Sequence, residues 1–420
     1  MSDVQALIDQ VYRNESGRIL ATLIRAVGGD FDLAEEVLQE AFAAAVVQWP
    51  ESGAPDNPRA WLTGAARHKA IDQIRRRKSF ADKRDALEAL SLMAEEERGE
   101  REPSPASGPG PLADDRLRLI FTCCHPALAV EAQVALTLRT LCGLSTEEIA
   151  RAFLIPAPTL AQRLVRAKAK IRAAAIPYAI PAAELLPERV DAVSAVIYLV
   201  FNEGYAATAG DSLVRRELCA EGIRLARLVT ELIPAEPEPR ALLALLLLHD
   251  ARRAARVSPS GDVVLLEDQD RTSWDRAQIT EALPLVESAL RARPVGPYAV
   301  QAAIAAVHAR AERAADTDWP QIAALYGVLI GLTPSPVVEL NRAVAVAMAE
   351  GPERGLELVD RLIERGELAQ YHLLPAARAD LLRRLGRRAD AADAYRAAIA
   401  LAGNDAERRF LVRRLAELDP

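Results

Sequence analysis

No apolar run in this 420-residue chain approaches the length of a membrane span. The strongest, residues 241–248, is flanked by Arg240 on one side and by His249 and Asp250 on the other, and reads as a buried helix. The first residues, Met-Ser-Asp-Val-Gln, show no basic-then-apolar signal pattern, so a cytoplasmic protein with no membrane partner is expected. Cysteines number only four, at 123, 124, 142 and 219, which is not a secreted disulfide framework. Cys123-Cys124-His125 raises a metal or redox sensor, but adjacent helical positions do not readily converge on one centre and Cys142 adds no paired spacing. Small buried thiols are the better account, and no metal is expected. The five histidines, at 68, 125, 249, 308 and 372, are scattered. There is no Gly-x-x-x-x-Gly-Lys-Ser/Thr phosphate loop, no dinucleotide Gly-x-Gly-x-x-Gly after a strand and no His-Glu-x-x-His zinc helix. Glu203 with Asn202 and Tyr205, or His249 with Asp250, are better explained as capping, buried hydrogen bonding or solvated surface than as catalytic groups. Neither an enzyme nor a cofactor is expected. Strand signals are also few: residues 263–266 could form one short strand or an extended apolar loop.

What is present begins with size. At 45.5 kDa the chain is too long for one ordinary domain and suggests two to three. A net charge of −7 and a pI near 5.5 argue, taken alone, against a nucleic-acid binder. The cations are clustered, however, and local field rather than net charge sets affinity for DNA.

One cluster lies in residues 143–172, which read as a helix-turn-helix. Ser145 and Glu148 have capping-box spacing at the start of a first helix whose apolar face is Ile149, Ala150 and Phe153. Pro156 and Pro158 break that helix and restart a second. In the second, Leu160, Leu164, Ala167 and Ile171 share one face, while Gln162, Arg163, Arg166, Lys168, Lys170 and Arg172 lie largely off it. No acidic residue offsets them between Arg151 and Arg172. Such a helix can lie in the major groove with its N-terminal side chains on base edges and its later cations on phosphates. A solvated basic helix packed on its own domain is the plainer alternative.

A second basic helix is expected over residues 58–78, opened by Pro58 and closed by Arg75, Arg76, Arg77 and Lys78, with Asp72 as its one acid. Trp61 there, and Trp49 before it, are expected to pack rather than to stack on bases. Residues 32–49 form an amphipathic helix with Leu33, Val37, Phe42 and Val46 on its apolar side and acids concentrated in its first turns. That helix suits a protein partner better than DNA.

This order of elements, over roughly residues 1–176, resembles the bacterial sigma factors of the extracytoplasmic-function group. The resemblance implies a core RNA polymerase contact, through clamp helices and flap, carried by Asp32, Glu35, Glu36, Gln39 and Glu40. It implies a loop over residues 50–58 that captures a flipped base, and minus-ten contacts from Trp61, Arg67, His68, Asp72, Arg75 and Arg76. His68 stands where the family commonly has Asn, so a strand contact and an ordinary solvated or packed histidine both stay open. Thr159, Gln162, Arg163 and Arg166 would read the minus-thirty-five element of promoter DNA.

The expected architecture is all-α: sigma domain two at 1–92, a flexible linker at 93–113 containing Pro-Ser-Pro-Ala-Ser-Gly-Pro-Gly-Pro, sigma domain four at 114–176, and a helical repeat-like domain at 177–420. In that last domain Ala343, Gly351, Gly355 and Val359 align with Ala379, Arg387, Ala391 and Tyr395, and the second copy looks like a tetratricopeptide repeat. The whole resembles a sigma-factor subgroup with a long tetratricopeptide-like extension. That likeness implies regulation by the extension and a regulatory protein bound to it. The rival reading is a helix-turn-helix activator on a repeat scaffold that acts without polymerase-sigma function. A purely structural reading makes the extension an oligomerisation module.

Overall fold

The computed structural model describes residues 3–77, 111–153, 155–206, 214–258 and 261–418. Residues 78–92 of the expected first domain and most of the expected linker lie outside them, while Pro111 already opens a helix. Among the described residues the fold is all-α, as expected. The nearest approach to a strand is one antiparallel bridge between Val257 and Val263, so residues 263–266 form an extended apolar loop. No helix among them is long and apolar enough to cross a membrane. The chain divides into two compact units, Met1–Val196 and Ile197–Pro420.

In the first unit α1 (Asp3–Ala26), α2 (Phe31–Ser52) and α3 (Pro58–Arg77) pack on one another. They are followed by α4 (Pro111–Cys123), α5 (Val130–Thr140), α6 (Thr146–Ala152) and α7 (Ala157–Ala173). Asp30 starts α2, its carboxylate accepting the Leu33 N–H at 3.1 Å, and Asn57 does the same for Ala60 at the start of α3. The buried stripe of α2 runs through Ala34, Leu38, Ala41, Ala45 and Trp49, with Leu33, Val37 and Phe42 beside it. Val46, expected on that face, is 44% exposed, because the packed stripe steps from Ala45 to Trp49 and turns Val46 outward. The helix also continues through Pro50 to Ser52 and ends where Gly53, at φ +83°, donates its N–H to the Trp49 carbonyl. The expected loop is therefore shorter. Proline costs one N–H there, in a last turn held from the inside by buried Trp49.

The helix α8 (Leu186–Tyr205) contains the division between the units. The second unit continues with α9 (Arg216–Leu232), α10 (Pro237–Ala251), α11 (Arg276–Arg291), α12 (Pro297–Arg310), α13 (Trp319–Leu332), α14 (Pro336–Glu350), α15 (Pro352–Glu364), α16 (Leu373–Arg384), α17 (Arg388–Leu401) and α18 (Asp405–Ala416). Each packs chiefly on its neighbours in sequence. The apolar run 241–248 is buried inside α10.

The aligned positions noticed in the sequence fall on two successive helix pairs, α14 with α15 and α16 with α17. Ala343, Ala379, Ala391 and Val359 have no exposed surface and Tyr395 is buried. Small side chains let these helices approach closely: a Cβ on Gly355 would stand 2.4 Å from the Ala347 Cβ and 2.9 Å from the Ala343 carbonyl oxygen. Gly355→Ala gains about 1 kcal/mol of helix propensity. It loses about 1–3 kcal/mol to overpacking against backbone that cannot retreat. The expected outcome is a lower urea midpoint; a raised midpoint would show that α14 and α15 separate freely.

Candidate nucleic-acid interface

Residues 145–173 build the helix-turn-helix from local signals. The Ser145 N–H donates to Glu148 Oε2 at 2.7 Å and the Glu148 N–H donates to Ser145 Oγ at 3.0 Å, a reciprocal capping box. A short turn through Ile155 and Pro156 leads into α7, with proline in its first turn. Leu160, Leu164, Ala167 and Ile171 are all buried, as their spacing predicts. Thr159, Gln162 and Arg166 stand exposed on the opposite face, and Arg163 is partly buried. These four form one patch at the N-terminal half of α7.

The later cations of α7 do not face solvent alone. Lys168 Nζ donates to Asp32 Oδ1 at 3.1 Å and to Glu35 Oε2 at 2.8 Å, and Arg172 Nη1 donates to Asp32 Oδ2 at 2.6 Å. Burial pushes Asp32 up, but Lys168 and Arg172 together bring it below the ordinary aspartate value. Lys168 moves the other way: burial lowers it, and the two carboxylates more than restore it. Two acids nominated for a protein partner are thus joined to the helix nominated for DNA, over 136 residues of sequence.

Three further contacts hold that geometry. Asp115 of α4 has no exposed surface and receives Arg25 Nε of α1 at 2.9 Å and Arg118 Nη1 at 2.6 Å. The Tyr178 hydroxyl lies 2.8 Å from the Ala21 carbonyl oxygen and 3.0 Å from that of Asp115. A Cβ on Gly17 of α1 would meet the Leu141 carbonyl oxygen at 2.8 Å. The N-terminal three helices and the helix-turn-helix therefore pack as one body rather than standing apart.

The remaining nominated residues are distributed as follows. Glu36 and Gln39 are exposed on α2, while Glu40 pairs with Lys69 at 2.9 Å and accepts from Gln73 at 3.4 Å. Trp61 packs edge-on against buried Trp49, ring centroids 5.5 Å apart, as expected of a packing pair. His68 and Asp72 are exposed on α3 and Arg67 is partly buried. Arg75 and Arg76 fall in the last turn of α3, but their side chains lie outside the described residues. Sequence reasoning missed Asp30, Asn57, Asp115 and Tyr178; the Asp-x-x and Asn-x-x spacing before α2 and α3 was the available signal for the first two.

All four cysteines are buried and none is in a disulfide. Cys123 Sγ lies 3.2 Å from Thr140 Oγ1 and Cys124 Sγ 3.6 Å from Thr137 Oγ1. Burial pushes Cys124 up to about 11 and Cys123 higher still, so both stay thiols rather than reactive thiolates. Among the described residues no cluster of three or more His, Cys, Asp and Glu could hold a metal ion.

Residues 14–80 match sigma-70 region 2 and residues 118–171 match sigma-70 region 4, the parts of the chain that supply α1 to α3 and the helix-turn-helix. Residues 189–290 match a family of unknown function (DUF6596). An uncharacterized protein of Rhizobium meliloti (strain 1021) is 48% identical over 389 residues, which cover 93% of this chain and 90% of that protein. With both sigma-70 regions in order and a helical unit beyond them, the chain is a sigma-70-type transcription protein, similar to the extracytoplasmic-function group, and belongs to one family with its Rhizobium meliloti relative.

Proposed function

We propose that the chain is a sigma factor that binds core RNA polymerase and directs it to promoters, and that its first unit passes from a closed to an open state when it does so. The observation that carries this reading is the pairing of sigma-70 regions 2 and 4 with an exposed Thr159, Gln162 and Arg166 patch on a proline-started basic helix. In this reading Asp32, Glu35, Glu36, Gln39 and Glu40 contact the polymerase. Trp61, Arg67, His68, Asp72, Arg75 and Arg76 line the melted minus-ten strand, and Thr159, Gln162, Arg163 and Arg166 read the minus-thirty-five duplex. Asp32 and Glu35 cannot serve polymerase while they hold Lys168 and Arg172, and those two cations cannot serve phosphates. Polymerase and DNA therefore compete for both halves of one ionic contact. The second unit acts in this scheme as the regulatory part of the protein, its helical array offering surface to a regulatory partner.

Run-off transcription with core polymerase is the direct test: the chain plus core should initiate at specific promoters, whereas tight operator binding without polymerase would favour the activator. Arg163→Ala and Arg166→Ala should each lose about 1–3 kcal/mol of discrimination at the minus-thirty-five element where the arginine makes a bidentate base contact.

The closed contact has its own signature. Lys168→Glu with Arg172→Glu should raise the distance between fluorescent probes on α2 and α7, and added salt should do the same in the unaltered chain. Because the Asp32 pKa is depressed, its share of the contact is present above the ordinary aspartate value of 3.8 and is lost as pH falls through the depressed one. A probe distance indifferent to charge reversal, salt and acid would remove the ionic contact from the mechanism.

A further inference from the structure

Among the described residues the second unit gathers positive charge in its interior without a carboxylate paired to it. Tyr205, at the end of α8, is 8% exposed and stacks on Phe201. Its ring carries the Arg256 guanidinium 3.6 Å from the centroid and that of Arg252 at 5.6 Å, with the His249 ring at 5.1 Å. Arg256 also donates to the Tyr205 carbonyl oxygen. Across from them Arg271, 5% exposed, donates to the carbonyl oxygens of His308 at 2.7 Å and Ala311 at 2.8 Å and to Thr317 Oγ1 at 3.1 Å.

Among the described residues the carboxylates near this cluster have other partners or reach it only through space. Asp250 holds Arg253 at 2.6 Å and accepts from Gln278 at 2.9 Å, and Glu203 holds Arg215 at 3.2 Å. Asp316 pairs with Arg313 at 2.7 Å and Glu407 lies 3.1 Å from His372 Nε2, and the two act on Arg271 and Arg256 only through space. Among the described residues no carboxylate makes an ion pair with Arg252, Arg256 or Arg271. The field shows in the neighbours: burial, then Arg252 and Arg256, hold His249 well below the ordinary histidine value, and burial, then Arg252 and Arg271, push His308 down to about 4.

Hydrogen-bonding capacity is left over in the same place. The Tyr205 hydroxyl, His308 Nδ1 and Arg271 Nε are buried and have no hydrogen-bond partner. Buried polar groups are ordinarily satisfied, and like charges gathered without an anion repel. Both deficits are removed by one occupant with several acceptor oxygens and negative charge. Arg252 and His308 keep partial exposure to solvent.

We propose that Tyr205, Arg252, Arg256 and His308, with Arg271 behind them, form a binding site for a small phosphate-bearing anion. A guanidinium fork matches phosphate geometry, and donors arriving from α8, the end of α10, the turn Arg253–Arg256 and α12 suit a tetrahedral group better than a planar carboxylate. Most of these residues lie in the segment matching the family of unknown function, and the inference stands whether or not the chain acts as a sigma factor.

The probe is inorganic phosphate, titrated at low millimolar concentration into the full chain at constant ionic strength, with chloride and malonate as parallel arms and thermal unfolding and calorimetry as readouts. Phosphate should raise the unfolding temperature and release or absorb saturable heat, beyond either control anion. Tyr205→Phe removes only an unpartnered hydroxyl, and Arg252→Gln removes a side chain that makes no ion pair, so both should fold with an unfolding temperature equal to or above that of the parent. Each should weaken phosphate binding about tenfold, the effect of one lost charge-assisted hydrogen bond. Arg354→Gln, on an exposed pair with Glu357, should change nothing. No response specific to phosphate, an equal or larger response to malonate, or full binding in both site variants would overturn the proposal.

Discussion

The first unit turns on a carboxylate that never meets water. Asp115 sits at the bottom of the contact between α1 and α4, and burial raises its pKa even though Arg25 and Arg118 both oppose the shift. A raised acid pKa means that stability present at low pH is reduced as pH rises through it, so the ionised pair orients the helices more than it stabilises them. Its strength lies in the alternative. Removing the Arg25 side chain while α1 and α4 stay packed would leave buried Asp115 with Arg118 alone, and breaking a buried pair in that way costs about 3–5 kcal/mol. The Tyr178 hydroxyl on two backbone carbonyls and the fit of Gly17 against Leu141 follow from the same approach of α1.

Against that fixed contact, the pairs formed by Lys168 and Arg172 with Asp32 and Glu35 are of a different kind. Asp32 and Arg172 are each about half exposed, at 51% and 58%, so salt and water screen them and their individual worth is small. The Lys168–Glu35 pair is more enclosed, at 13% and 19%, but the Asp32–Arg172 pair is weak and exposed, and such pairs exchange partners readily. A nucleic-acid backbone or an oppositely charged protein surface can replace either half without unfolding anything. The coexistence of net charge −7 with basic helices has the same basis: acids that lower the total also pair with cations of α7.

Local signals made much of this legible in the sequence. The Ser145 and Glu148 capping box, the prolines around 156 and the Leu160, Leu164, Ala167, Ile171 stripe each lie within one or two helical turns, and each folded as its spacing implies. Where the reading slipped, one local rule was opposed by packing: Val46 lost its place in the core to Trp49, and Pro50 was absorbed into a helix instead of ending it. Contacts across long separations left no trace. Nothing in the sequence around Asp32 announces Lys168, and Asp115 reads as one acid among several in Ala-Asp-Asp-Arg. The assignment of particular side chains to polymerase or to the minus-ten strand rests on family likeness, because surface residues are chosen by a partner that the chain's own packing does not reveal.

The cationic centre of the second unit was illegible for a related reason. Tyr205, His249, Arg256, Arg271 and His308 come from five separate elements, and each taken alone is a routine polar residue near a helix end. Only their convergence removes the routine explanation. A helical array with apolar faces as continuous as those of α10 and α12 has no stability to gain from gathering guanidinium groups inside it, since hydrophobic residues of the same volume would pack there without desolvation cost. In the first unit the buried Asp115 is met by Arg25 and Arg118; in the second, among the described residues, Arg256 and buried Arg271 have no ion-pair partner. That difference between two units of one chain is what sets the cationic cluster of the second apart from an ordinary buried ion pair.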